Sequence, residues 1–429
     1  MKLRMLRSSF VLPALAASLL AAALPLEAAA TVLQQGEQRA ATDPDFSREA
    51  YFPGPGEDWQ HRQPADVGMD SAALAGAVRF AIENESPFGH DLRAYLAERL
   101  ASGPYGEIVG PVKDRGAPNG LILRDGYIVA EWGDTERVDM TFSITKSYLS
   151  TTAGLAWDDG VIRDLEDPVA GYLAAGQGRE LFETSHNAPI TWHQLLTQTS
   201  EWEGTLWDKP DVADRRRGAD RELNEPGTFW EYNDVRVNLT AYALLRLHGR
   251  GLPDVLRALV MDPIGASDSW RWHGYENSWV PVNGRRVQSV SGGGHWGGGM
   301  WIASRDQARF GYLFLRRGRW GDDQILSEEW VDLATTPSDV QPRYGYMWWL
   351  NTDEEMWPGL PASSFAALGA GTNAIWIDPE DNLVVVVRWI DRSKLGDFLG
   401  LVKAAVVVPV GATSEGSAPM DAGAEGPGR

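Results

Sequence analysis

The 429-residue chain carries 59 acidic against 39 basic residues, a formal charge of −20 and no cysteine. That length is enough for a large core and two lobes. The acidity argues against nucleic acid and anionic membrane surfaces as partners, and the missing cysteines exclude disulfides, thiol catalysis and a lipid-modified N-terminal Cys.

In chain order, residues 1–30 read as a signal peptide. Lys2, Arg4 and Arg7 precede an apolar Ala/Leu stretch from Phe10 to Leu26, and Ala28-Ala29-Ala30 offers a cleavage site. The expectation is an exported protein, periplasmic or secreted, with no membrane contact after cleavage. Losing Lys2, Arg4, Arg7 and Glu27 would move the charge from −20 to −22. Residues 31–58 are polar and broken by Pro and Gly, as in a loose leader. Asp70 predicts the N-cap of a helix carrying Leu74, Val78, Phe80 and Ile82, and a second helix is expected over Leu92 to Leu100. Gly120 to Trp132 holds two apolar runs joined by Asp125-Gly126, which predicts a hairpin.

From Asp158 to about His273, short helical runs alternate with Pro, Gly and charged loops. The clearest are Ile190 to Leu196, Leu239 to Leu247 and Pro253 to Val260. Residues 287–302 are rich in Gly, Ser and Trp and return to a sheet. Helices are expected over Gln307 to Leu315 and Glu328 to Ala334. A second hairpin should pair Ala374–Asp378 with Leu383–Trp389, followed by a closing helix from about Lys394 to Val406. The tail from Gly411 has the Gly/Ala/Ser/Glu composition of a disordered segment. These elements predict an α+β protein. Its sheet domain (31–157 and 280–410) is interrupted by a mostly helical insert (158–279), with a site at the junction.

Three segments carry chemistry. In Thr141-Phe-Ser-Ile-Thr-Lys146 a helical apolar pattern begins just after Ser143, so Ser143 is expected at or just inside a helix N-terminus. Lys146, three residues on, projects from the same face. A serine hydroxyl needs a base within reach, and a buried lysine that loses its charge by desolvation can serve. The N–H groups of a helix start can help hold an oxyanion. A solvent-facing lysine one turn past a cap gives the same pattern, so this spacing decides nothing alone. Next, Pro226-Gly-Thr-Phe-Trp-Glu-Tyr232-Asn-Asp234 places Tyr232 ahead of a helical run, with its phenol expected at an exposed turn; a packing role fits equally well. Third, Leu368-Gly-Ala-Gly-Thr372 is a Gly-rich strand entry where backbone can approach a ligand.

In this order and spacing, the three segments resemble the penicillin-recognising serine hydrolases. That family includes class C β-lactamases, DD-peptidases, esterases and 6-aminohexanoate-dimer hydrolases. The resemblance runs from about Trp59 to Val387. Ile190–Ser200 and Gly297–Asp306 are similar to stretches flanking the site in the esterase and nylon-hydrolase branch. It implies a β-lactamase/transpeptidase-like fold, an antiparallel sheet flanked by helices. It also implies Ser143 as acylated nucleophile, Lys146 as its base and Tyr232 as the family's Tyr-x-Asn tyrosine. The implied oxyanion donors are the backbone N–H groups of Ser143 and, from the Gly369–Thr372 turn, Ala370.

Two positions depart from the family. Asp234 replaces the amide of Tyr-x-Asn, and Gly369-Ala370-Gly371 replaces a Lys-Thr-Gly or His-Thr-Gly element. A carboxylate near the site and a missing cation both disfavour β-lactams and peptide carboxylates, so the expected substrate is a small ester or linear amide. β-Lactamase or DD-peptidase activity, or a silent binding protein on the same fold, are the alternatives. Asp234, Trp202 and His295 are candidate substrate-binding residues, with Trp207, Trp230 and Trp296 as further lining; for any single tryptophan, packing fits as well. A structural role for His295, held by its glycine loop, fits at least as well. No Gly-x-Ser-x-Gly elbow, metal-ligand motif or phosphate loop occurs, and no cofactor or metal is expected.

Overall fold

The computed structural model describes residues 50–56, 59–101 and 103–407. The expected signal peptide, most of the 31–58 leader and the tail from Gly411 lie outside the described residues. In chain order the first elements are α1 (Ser71–Glu83), α2 (Leu92–Leu100), β1 (Asn119–Arg124), β2 (Tyr127–Trp132), β3 (Asp139–Met140) and α3 (Thr145–Asp158). The segment after them holds α4 (Trp192–Leu196), a short ribbon of β4 (Thr205–Leu206) and β5 (Lys209–Pro210), α5 (Asp234–His248) and α6 (Leu252–Leu256). Then come β6 (Arg271–Val282), β7 (Arg285–Val290), β8 (Gly299–Ile302) and α7 (Ser304–Leu315). The chain closes with β9 (Arg319–Trp320), β10 (Asp323–Gln324), α8 (Glu328–Ala334), β11 (Trp349–Leu350), β12 (Phe365–Gly369), β13 (Asn373–Asp378), β14 (Leu383–Arg388) and α9 (Leu395–Ala404).

One antiparallel sheet has the order β11-β12-β13-β14-β1-β2. Its central strands β1, β13 and β14 are buried at every position. That explains their unbroken apolar runs, because both sheet faces are covered. On one face Leu121, Leu123, Ile375, Ile377, Val384 and Val386 join the main core, where α7 supplies Phe310 and Phe314. On the other, Ile122, Trp376, Leu383, Val385 and Val387 pack with Leu74 and Ala77 of α1 and Phe398 and Val402 of α9. Each such buried aliphatic side chain stabilises the fold by roughly 1.5–3 kcal/mol relative to exposure. Asp70 caps α1 by accepting the Ala72 and Ala73 N–H groups at 2.8 and 2.9 Å.

A second antiparallel sheet, in the order β3-β8-β6-β7, was not expected. Its long strand β6 runs across residue 279, and Asn283-Gly284 turns it into β7, with φ of 46° and 76°. The two sheets are tied by Arg388, which is fully buried at the end of β14. Its guanidinium donates to the Asn373 Oδ1 at 2.8 Å and to the carbonyls of Ile302 and Met140, both at 2.7 Å. Met140 ends β3, three residues before Ser143. The candidate nucleophile is therefore built at the junction of both sheets.

Candidate active site

Ser143 lies in a single 3-10 turn, Phe142–Ile144, which runs directly into α3. The N-cap position of α3 is Ile144, so Ser143 sits one residue upstream of it and caps nothing. Phe142 has φ +51°, a left-handed conformation that is costly for a bulky side chain. Its surroundings hold it there. The Thr145 hydroxyl donates to the Phe142 carbonyl at 2.5 Å and accepts the Met300 N–H at 2.9 Å, while the Thr141 N–H donates to the Met300 carbonyl at 2.9 Å. The end of β12 closes against the same turn. A Cβ on Gly369 would stand 2.0 Å from the Thr141 carbonyl oxygen and 3.3 Å from the Ser143 nitrogen. Only glycine fits there, which brings the Ala370-Gly371-Thr372 turn next to the Ser143 backbone.

Lys146 is buried, and its Nζ bridges two partners. It lies 3.0 Å from the Ser143 Oγ and 2.5 Å from Oδ1 of Asp234, the first residue of α5. The Asp234 backbone N–H donates to Asp214 Oδ2 at 2.8 Å. Burial pulls the Lys146 amine down, but the Asp234 charge and hydrogen bond outweigh it and hold the amine above its ordinary value. Burial likewise pushes the Asp234 carboxyl up, and Lys146, His295 and Arg216 together bring it below the ordinary carboxylate range. The resting pair is an ammonium and a carboxylate. Burial and the counter-ion therefore oppose each other at Lys146, and only the burial could be expected from the sequence.

Asp234 itself is 2 % exposed, and its carboxylate is committed to Lys146. Tyr232 is 7 % exposed rather than at an open turn. Its ring stacks on Trp349 at 5.7 Å and meets Tyr344 and Trp230 edgewise or tilted at about 6 Å. Lys146 Nζ and the Arg216 guanidinium lie 4.5 and 4.6 Å from its ring centroid. The phenol makes no hydrogen bond to Ser143 or Lys146 among the described residues; what the structure brings to Lys146 is the ring. His295 stands in the glycine loop between β7 and β8 with Nδ1 3.7 Å from Asp214 Oδ1.

Trp202 is fully buried, its indole N–H donating to the Leu181 carbonyl at 2.7 Å, and belongs to the core rather than to a pocket wall. Trp296 is likewise buried, and Trp207 packs edge-on against Tyr242. Of the expected tryptophans, Trp230 alone joins the aromatic wall at the site. Sequence reasoning missed Asp214, Arg216, Trp349 and Gly293. The charge alternation in Asp211-Val-Ala-Asp-Arg-Arg-Arg217 was the only available signal for the first two. Gly293 makes room for the ion pair, since a Cβ there would fall 2.3 Å from both Lys146 Nζ and Asp234 Oδ2.

Asp214, Asp234 and His295 bring ligand-type atoms within 4.8 Å of one another. Lys146 and Arg216 already counter both carboxylates, so the trio is a charge-balanced cluster and not a cradle for a cation. Clefts lined by His61, Glu131 and Arg305, and by Trp157, Arg163 and Glu329, contain none of these residues. The arrangement is suited to acyl transfer. A hydroxyl touches an amine nitrogen, the amine is oriented by a carboxylate, and a glycine turn lies beside the hydroxyl's own backbone N–H.

The beta-lactamase family model matches residues 121–393. An uncharacterized protein of Alkalihalophilus pseudofirmus is 24% identical over 267 residues, covering 57% of this chain and 71% of the relative. Among solved structures, EstCE1, a hydrolase with promiscuous acyltransferase activity, aligns with a TM-score of 0.51 at 16% identity over 79% of this chain and 99% of its own. A penicillin-binding protein homolog from Caulobacter crescentus aligns with a TM-score of 0.51 at 15% identity over 75% and 99%. At these identities the likeness to the solved structures is one of fold.

Proposed function

Because this chain belongs to the beta-lactamase family, a β-lactamase/transpeptidase-like fold of serine hydrolases that includes esterases and aminohexanoate-dimer hydrolases, we propose that it is an exported serine hydrolase of small esters or linear amides. The observation that carries the reading is the 3.0 Å contact between Ser143 Oγ and Lys146 Nζ at the mouth of the Gly369–Thr372 turn. Ser143 attacks the substrate carbonyl, Lys146 in its neutral amine form takes the hydroxyl proton, and the Ser143 and Ala370 N–H groups receive the oxyanion. The leaving group takes that proton from Lys146 as it departs, and water then releases the acid. Export rests on the signal-like residues 1–30.

The ester preference now stands on the turn and the aromatic wall. The Asp234 charge is balanced by Lys146, so it no longer argues against anionic substrates. Gly369-Ala370-Gly371 carries no cation, and the half-buried Trp230 and Trp349, on either side of the Tyr232 ring, offer an apolar wall. One observation favours a β-lactam instead. The Arg216 guanidinium beside Tyr232 keeps 47 % of its side chain exposed, although Asp214 holds it at 3.3 Å. Turnover of a short-chain p-nitrophenyl ester with little hydrolysis of a penicillin is the expected result. Fast penicillin hydrolysis with poor ester turnover would reverse the assignment and make Arg216 the substrate anchor.

Gly293→Ala gives a sharper check on the site. The new methyl must push Lys146 away from Asp234 or Ser143, so ester turnover should fall about 100-fold. The clash falls on side-chain ends that can shift, so the melting temperature should fall less than it does when the Lys146 ammonium is removed outright. A variant with wild-type turnover would show that the Lys146–Asp234 contact is dispensable.

A further inference from the structure

We propose that Asp234 holds the proton that Lys146 must release, so that Ser143 is activated by a Lys146–Asp234 pair and not by an amine that has lost its proton to solvent. This rests on the serine-hydrolase reading above. One nitrogen spans both partners, 3.0 Å from the Ser143 Oγ and 2.5 Å from the Asp234 Oδ1. The Lys146 and Asp234 side chains are 1 % and 3 % exposed, so the ammonium has a carboxylate at hand and little contact with solvent. The Asp234 Oδ2 faces the space left by Gly293. The contact Asp234 makes with Asp214 uses its backbone N–H and leaves the carboxylate committed to Lys146. Moving a proton from Nζ to Oδ1 turns an ion pair into a neutral pair. In a dry site that costs less than exporting a charge.

The step balances as follows. The Nζ–H proton passes to Oδ1, leaving an amine and a carboxylic acid. As the Ser143 Oγ bonds to the substrate carbonyl carbon, the Nζ lone pair takes the hydroxyl proton and the carbonyl oxygen becomes the oxyanion. When the tetrahedral intermediate collapses, the leaving-group oxygen takes a proton from Lys146 and the Asp234 proton returns to Nζ. The resting ion pair is restored. Asp234 acts through Lys146 and is a positioning residue.

Several groups on other elements face this pair. They are Tyr232 ahead of α5, Asp214 and Arg216 in the preceding loop, Tyr275 on β6, Tyr344 ahead of β11, and His295 on the glycine loop. Among the described residues His295 is the histidine in this set, so the test is run in a His295→Gln background. The full chain with Asp234 intact is compared with Asp234→Asn. Two rates are read between about pH 5 and 9: kcat/KM for a p-nitrophenyl ester, and labelling of Ser143 by a fluorophosphonate. With Asp234 the pair carries one shared proton throughout, and both rates should stay within about threefold. With asparagine, Lys146 must lose its proton to solvent, and the rates should fall about tenfold per pH unit on an acid limb that the parent lacks.

Identical profiles for the two proteins would overturn the proposal. So would a parent rate that climbs about tenfold per unit through neutral pH. Should Asp234→Asn fail to fold, the parent profile alone decides between flat and climbing. Ester turnover with matched profiles sinks the role of Asp234 only. Absence of both ester turnover and Ser143 labelling sinks the hydrolase reading with it.

Discussion

Ser143→Ala should abolish ester turnover, by about 10⁴-fold or more, and remove all covalent labelling of the protein by a fluorophosphonate. The size of the effect follows from the geometry. Ser143 is the hydroxyl that Lys146 Nζ touches, on a turn whose φ of +51° at Phe142 fixes where the side chain projects. The two hydroxyls that follow it on the chain are engaged elsewhere. Ser147 on the next turn donates to the Met347 carbonyl at 2.8 Å, and Thr145 is committed to Phe142 and Met300. Stability should change little, because Ser143 caps no helix. Intact-mass measurement after labelling, beside a melting curve, checks both halves. A labelled Ser143→Ala protein would place the nucleophile elsewhere.

Lys146→Met should be the second large effect, and it should strike activity and stability together. Turnover should drop by about 10³-fold, as the hydroxyl loses its base. The fold should lose about 3 kcal/mol, because the Asp234 carboxylate stays buried without the ammonium that was 2.5 Å away. Arg216 and His295 soften that cost without replacing the contact. The two consequences separate in the double variant. Lys146→Met with Asp234→Asn removes the buried charge, so the melting temperature should recover most of its loss while turnover stays down. Denaturant unfolding and ester kinetics on the three proteins decide the matter. Equal stability of wild type and the single variant would mean that the pair is not a buried charge pair in solution.

Much of the sheet was legible because its signals are local. The Asp70 cap, the Asp125-Gly126 turn and the Leu383–Val387 run each declare one element within a few residues, and β1, β2, β13 and β14 lie where those signals put them. The second sheet was not read, although Asn283-Gly284 between alternating residues is a strong hairpin signal. Gly274 and Pro281 inside β6 weaken its strand signal, and only residues 287–302 were expected to return to a sheet. At the site, Ser143 and Lys146 share a turn, and their proximity follows from helical spacing alone. Asp234 is 88 residues further on, and nothing local says that its carboxylate closes on Lys146 rather than facing a ligand. The same long-range packing buries Tyr232 under Trp349 and Trp202 against Leu181. Such contacts are properties of the assembled core, and a chain-order pattern does not contain them.

Arg388 has a bearing on how the molecule comes apart. Its one guanidinium joins β13 to the carbonyls of both β3 and β8, so neither sheet can open without stranding buried acceptors on the other. The nucleophile's turn hangs from β3, between them. Partial melting that spares the active site therefore has no route through this junction. Loss of the Ser143 geometry and loss of the fold become one cooperative event, and catalytic competence tracks the folded population up to the unfolding transition.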